Sequence, residues 1–363
     1  MIIKRLELAD YRNYEFLDIQ FDKGTNILYG DNAQGKTNIL ESIYVAATTK
    51  SHKSSKDKEI VNFNKEEAHI RTYLEKEGVE TRVDMHLRKN KSKGIAIDGT
   101  KIKKAADLLG LCNVVFFSPE DLSIIKNGPA ERRRFVDMEL CQLDSFYLYN
   151  LNHYNKIANQ RNKLLKDLYF RPDLKDTLMI WDSQLVSFGS KIIERRKVFV
   201  DQLNEIIYNI HKRLSGDKEE LKIVYEPDVE IENFEAALRA AQDKDIKLKQ
   251  TTVGPHRDDF SFYANGIDIR RFGSQGQQRT SALSLKLSEI ELVKRCIHDT
   301  PVLLLDDVLS ELDSNRQNYL LNSIHDIQTV ITCTGLDEFV RNRFQIDKIF
   351  EVISGTVSEK NEM

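Results

Sequence analysis

Eight residues, Gly30 to Thr37, read G-D-N-A-Q-G-K-T, two glycines flanking four residues and followed by Lys and Thr. This spacing fits a phosphate-binding loop. Gly30, Asp31, Asn32, Ala33, Gln34 and Gly35 would turn successive backbone N–H groups inward as an anion nest, and the helix that follows would add its positive end. Lys36 would reach the β- and γ-phosphates, and the Thr37 hydroxyl a Mg²⁺ ion. A plain Gly-rich turn is the alternative. The flanks favour the loop: Ile27-Leu28-Tyr29 supplies a preceding strand, and Ile39, Leu40, Ile43 and Ala47 recur at helical spacing after it.

A second chemical cluster lies far downstream. Val302-Leu303-Leu304-Leu305 is an unbroken apolar run ending in Asp306-Asp307, as expected of a strand buried on both faces of a parallel sheet. Beside a phosphate loop, a carboxylate closing such a strand belongs at the metal. Asp306 is therefore the expected second Mg²⁺ residue, and Asp307 is placed to orient or deprotonate an attacking water. Ser274 to Gln278, S-Q-G-Q-Q, opens an apolar-faced helix whose cap would be Ser274. A hydroxyl, a glycine and free N–H groups at a positive helix end make a second anion site. A basic stretch from Thr48 to Lys58 has no apolar period and reads as an exposed loop. Its Lys50, Lys53 and Lys56 could contact a phosphate backbone.

The whole chain of 363 residues is close to neutral, with a net charge of -3, so any nucleic acid must be held by a local patch. Such an excess exists between Thr48 and Lys104, with 15 Lys or Arg against 9 Asp or Glu. Solvated charge at strand tips, as at Arg88, Lys89, Lys91 and Lys93, is the simpler account of much of it. Four scattered cysteines without a C-x-x-C pair imply neither zinc site nor disulfide framework. No leader or membrane-length apolar run is evident, which points to the cytoplasm.

These residues need a scaffold, and the pattern supplies one. Met1 to Leu8 and Phe16 to Phe21 alternate as strands around Asp10-Tyr11-Arg12-Asn13-Tyr14, and three further alternating segments between Ala68 and Ile97 suggest an antiparallel sheet beside the nucleotide core. From Pro119 the texture changes. Tyr147, Leu151, Tyr154, Ala158, Arg161, Leu165 and Leu168 form a seven-residue repeat, which resumes after Arg171-Pro172-Asp173 and runs through Ile210. Two such helices should pack as an antiparallel hairpin. Residues 1–118 and 250–363 are thus expected to build an α/β head, and 119–249 an inserted helical arm. The loop Thr251 to Asp259 looks suited to chemistry, and the tail from Ser358 looks frayed.

The phosphate loop, the Ser274–Gln278 stretch, L-L-L-D-D and S-E-L-D at Ser310 to Asp313 together resemble the ABC-type heads of transporter ATPases and the SMC group. More narrowly, D-Y-R-N-Y at Asp10, F-S-P-E-D-L at Phe117, G-P-A-E-R-R-R-F at Gly128, G-P-H-R-D-D at Gly254 and S-Q-G-Q-Q-R at Ser274 resemble the RecF family of recombination mediators. The resemblance implies a P-loop NTPase head, a mixed sheet plus an antiparallel subdomain, that dimerises on ATP and Mg²⁺. It implies Lys36 and Thr37 holding the nucleotide in cis with Arg12 nearby, while Ser274, Gly276 and Gln277 face the γ-phosphate in trans and Ser310 to Asp313 couple the sites. It also implies binding of gapped, single-strand-containing and duplex DNA, partnership with RecO and RecR toward RecA loading, and a part in the SOS response.

Two departures from the wider ABC pattern bear on rate. Asp307 stands where a longer Glu is usual, and Cys333-Thr334 replaces the expected switch His. Slow, DNA-stimulated ATP hydrolysis, a timer rather than a motor, is the expectation. Lys50 and Lys53 stand where the family usually has Arg, which keeps the charge but not the bidentate fork. An SMC-like chromosome organiser would need far longer arms, a transporter ATPase the missing His, and a GTPase an N-K-x-D motif.

Overall fold

The computed structural model describes residues 1–53, 56–335 and 346–360, with only the backbone at Glu311. By packing it divides into two units, residues 1–121 with 289–363, and residues 122–288.

The first unit holds two six-stranded sheets. One is antiparallel, in the order Tyr14–Gln20, Ile2–Tyr11, Glu67–Lys76, Val79–Arg88, Gly94–Ile97 and Thr100–Lys101. The other runs Thr356–Lys360, Lys348–Ile353, Thr25–Tyr29, Thr329–Cys333, Val302–Asp306 and Val114–Phe117. All its pairs are parallel except the one made by Thr356–Lys360. The head is therefore the expected mixed sheet with an antiparallel partner. The helix Lys36–Thr48 shares one apolar core with both sheets, through Leu6 and Leu8, Ile39, Leu40 and Ile43, and Leu304 and Val330. Buried nearly all round, it has to satisfy the polar Glu41 and Ser42 internally.

The second unit contains the hairpin of helices Ser145–Asp167 and Leu178–Leu214, joined through Pro172–Thr177. At 1.5 Å per residue they are about 35 and 55 Å long. Arg161, the polar interruption of the repeat, is fully buried, with Nε donating to Asp182 at 2.6 Å and Nη1 to Asp245 at 2.6 Å.

Packing places residues 250–288 with the arm, whereas the sequence pattern assigns them to the head. Strand Asp259–Ala264 pairs along its length with Leu221–Glu226, and buried Asp258 is bonded to Arg196 of the long helix. Two smaller expectations need correction. Thr356–Lys360 is a paired strand rather than a frayed tail, residues 361–363 lying outside the described residues. The stretch after the loop helix is not a free loop either: Thr48, Thr49 and Ser51 are buried and Asp57–Ile60 is a helical turn. Lys93 is likewise no solvated tip residue, because its Nζ donates to the Thr49 carbonyl at 2.5 Å and to Asp57 at 2.9 Å.

Candidate functional site

Strand Thr25–Tyr29 delivers the chain to Gly30 and helix Lys36–Thr48 takes it away. Between them Gly30 and Gly35 have φ of 150° and 116°, values that side chains rarely adopt. A Cβ on Gly30 would collide with the Val352 carbonyl oxygen, and one on Gly35 would lie 2.6 Å from Asn13 Nδ2 and 2.8 Å from the Tyr14 hydroxyl. The loop is clasped from outside. Asn13 Nδ2 donates to the Gln34 carbonyl at 3.0 Å, and the Ser354 and Gly355 N–H groups donate to Gln34 Oε1 and its carbonyl at 2.6 and 3.1 Å. Gln34 thus shapes the loop through its side chain. Lys36 Nζ folds back over the loop and donates to the carbonyls of Gly30 at 2.6 Å and Asp31 at 2.8 Å.

Thr37 and Asp306 meet as the sequence predicts. Thr37 Oγ1 donates to Asp306 Oδ1 at 2.8 Å, and Thr332 Oγ1 donates to the same oxygen at 2.8 Å. Thr332 pairs with Asp306 in the parallel register. Burial pushes the Asp306 carboxyl above its ordinary pKa, against the two hydroxyl donors and the nearby charge of Lys53. An oxygen-only pair around a buried carboxylate suits a hard divalent cation such as Mg²⁺. Asp307 lies next to this pair in the left-handed region, with φ of 53°. Its N–H donates to Thr332 Oγ1 at 3.0 Å, and Ser310 Oγ donates to its carbonyl at 2.8 Å. Asp313, by contrast, spends its carboxylate capping the helix Ser314–Ser323. The Glu311 side chain lies outside the described residues.

Arg12 is placed differently from a free nucleotide contact. Its guanidinium forks onto Glu41, Nε to Oε2 at 2.8 Å and Nη2 to Oε1 at 2.7 Å, and Nη1 donates to the Glu59 carbonyl at 2.7 Å. Lys50, Lys53 and Lys56 are all exposed, with Ser54 and Ser55 between them outside the described residues.

In the second unit, Ser274 and Gly276 are exposed at the start of helix Gln275–Ile297. Ser274 Oγ accepts from the Gln277 N–H at 3.2 Å, and Gln277 Oε1 accepts from the Ser274 N–H at 2.8 Å. This reciprocal capping box fixes the helix start. Gln277 Nε2 also donates to Glu219 at 2.8 Å, so its side chain is engaged at both ends.

The loop Thr251–Asp259 is structural. Asp258, fully buried, accepts from Arg196 Nη1 at 2.7 Å, the Tyr225 hydroxyl at 2.5 Å and the Asp228 N–H at 2.9 Å. His256 receives the Tyr154 hydroxyl at Nδ1 (2.7 Å) and gives Nε2–H to the Thr251 carbonyl (3.0 Å), and burial holds its pKa below the ordinary histidine value. On the antiparallel sheet, Glu67, His69 and His86 come together. There Arg88 donates to His86 Nδ1 at 3.1 Å, leaving Nε2–H for Glu67 at 2.6 Å, a hydrogen-bonded cluster rather than a set of free ligands.

Sequence reasoning missed Asn13 as the loop clasp, Glu41, Ser51 and Thr332. Thr332 was findable, because a hydroxyl near the end of the T-V-I-T-C strand has to lie beside the end of its parallel neighbour. Glu41 carried a weaker signal, an acid within an apolar helix.

A phosphate loop of this form, closed by a strand-end carboxylate in a mixed sheet with an antiparallel partner and an inserted helical hairpin, defines an ABC-type head of the kind carried by SMC proteins. Residues 2–358 match the family described as RecF/RecN/SMC N terminal domain. Within it the chain belongs to the RecF family. It is 64% identical over 362 residues to the DNA replication and repair protein RecF of Agathobacter rectalis, covering all of both chains. It is 45% identical to that of Clostridium acetobutylicum, covering 99% of this chain and all of the relative. A solved recombination mediator RecF with ATP, of the RecFOR pathway, superposes with a TM-score of 0.91 at 34% identity over 99% of this chain and 97% of that one. The Smc head of Pyrococcus furiosus, 16% identical, shares the fold with a TM-score of 0.57, covering 99% of this chain and 95% of the other. No described helix is long and apolar enough to cross a membrane.

Proposed function

We propose that this chain is an ATP-controlled DNA-binding recombination mediator in which two copies close around two ATP molecules, each held by one copy's phosphate loop and the other's Ser274 helix start. The loop residues Gly30 to Gly35 and Lys36 bind the triphosphate, and Thr37 with Asp306 would hold Mg²⁺, which when bound neutralises charge between the β- and γ-phosphates. Asp307 orients the attacking water. Its short carboxylate makes turnover slow, so the nucleotide times the closed state. The closed dimer grips gapped, single-strand-containing and duplex DNA, with Lys50, Lys53 and Lys56 on the backbone, and acts with RecO and RecR toward RecA loading in the cytoplasm.

The observation that supports this most directly is the exposed, doubly capped start of the 23-residue helix at Ser274. A rigid positive helix end with a hydroxyl and a glycine suits an anion brought from outside the chain. ATP must favour the dimer over the monomer, since only differential affinity shifts an equilibrium. Sedimentation with and without ATP and gapped DNA tests this. ATP is expected to double the mass, and Lys36→Met to abolish the shift. An ATP-dependent shift that survives in Lys36→Met would refute it.

A further inference from the structure

Glu41 sits in the middle of the phosphate-loop helix, 1% exposed, with four donors converging on its carboxylate. Arg12 supplies two at 2.8 and 2.7 Å, Ser51 Oγ one at 2.5 Å, and the Tyr11 hydroxyl one at 3.2 Å. These partners come from two different segments. Tyr11 ends the first strand and Arg12 follows it in the turn to the second, while Ser51 lies within the basic stretch and its Oγ in turn accepts the Lys53 N–H at 3.1 Å. Burial raises the Glu41 pKa, but the Arg12 and Ser51 bonds and nearby positive charge outweigh it and leave the carboxyl below its ordinary value.

We propose that Glu41 is a positioning residue that fixes both the Arg12 turn and the Ser51–Lys53 segment to the phosphate-loop helix, so that ATP-dependent DNA binding requires it although it touches neither ligand. The inference rests on the function proposed above. Helix Lys36–Thr48 begins at the triphosphate, and Glu41 lies little more than one turn further along it. The Glu41 carboxylate thereby ties this helix to the segment that carries Lys53. Lys93 adds a second tie by holding the Thr49 carbonyl and Asp57, which keeps the segment attached when Glu41 is altered and makes the variants tractable.

Two variants test this. Glu41→Gln keeps the shape but loses the charge opposite Arg12, and Ser51→Ala cuts only the arm toward the lysines. Affinity for a fluorescent ATP analogue should stay within about twofold of wild type in Ser51→Ala. The gain in DNA affinity on adding ATP should fall about tenfold in both variants. Amide hydrogen exchange should quicken about tenfold at Ser51 to Lys53 in both, and at Arg12 in Glu41→Gln alone, with residues 37–43 unchanged. Unchanged exchange together with an unchanged ATP-dependent gain overturns the proposal, as does parallel loss of ATP affinity in Ser51→Ala. If wild type itself shows no ATP-dependent gain, the proposed function fails, and the exchange pattern alone decides the role of Glu41.

Discussion

The Ser274 helix start offers a way to separate a folding role from a role across a dimer. Its hydroxyl accepts one backbone N–H within the chain, and the site is exposed. Replacing Ser274 by Ala removes that cap, which costs about 1 kcal/mol of stability. Asp caps as well as Ser does, so Ser274→Asp should leave the melting temperature within a degree or two of wild type. Its effect on assembly should be far larger. A hydroxyl bonded to a charged phosphate contributes about 1.5–3 kcal/mol, and a symmetric dimer contains two such contacts, so losing both costs about 3–6 kcal/mol. At 1.4 kcal/mol per factor of ten, the dimer should weaken by about two to four orders of magnitude, and Asp adds repulsion between carboxylate and phosphate. Sedimentation equilibrium with ATP measures this directly, while nucleotide binding to the monomer should be unaffected. A Ser274→Asp protein that dimerises with ATP as wild type does would show that the hydroxyl only starts a helix.

Asp307→Asn should keep ATP binding and accumulate the ATP-bound dimer, read as slowed phosphate release; turnover at the wild-type rate would remove Asp307 from the chemistry. Replacing Lys50, Lys53 and Lys56 together by Ala should weaken DNA binding and lower the slope of log affinity against log salt by about 2–3 units, and an unchanged slope would place the DNA path elsewhere. Because His256 titrates below the ordinary histidine value when folded, the unfolded chain takes up its proton first. Its contribution to stability is therefore complete above about pH 7 and falls as the pH drops through the ordinary range near 6.5. The urea midpoint of wild type should decline from pH 7.5 to 5.5 more steeply than that of His256→Gln; parallel declines would show that His256 does not drive the change.

What the sequence revealed and what it hid divide along a physical line. The phosphate loop, the Asp306 strand and the two arm helices were legible because each is written in neighbouring residues: glycine spacing, an unbroken apolar run, a repeat of seven. Even the end of the first arm helix, expected at Leu168, falls at Asp167. The polar interior was not legible, because its partners are remote along the chain. Arg161 interrupts an apolar repeat for a reason that becomes visible only when Asp182 and Asp245 reach it from other helices. Glu41 looks like a stray acid until Arg12 and Ser51 arrive. The same blindness produced the error at Gly254–Asp259. A cluster of His, Arg and Asp in a loop has the composition of a reactive site, yet Asp258 and His256 have their hydrogen-bonding capacity taken up by Arg196, Tyr225 and Tyr154. Sequence records that a charge is present, not whether its partner is a ligand or a residue sixty positions away. At Thr37 and Asp306, by contrast, the expectation written in two short motifs is matched in the fold, where the two side chains meet at 2.8 Å although 269 positions separate them.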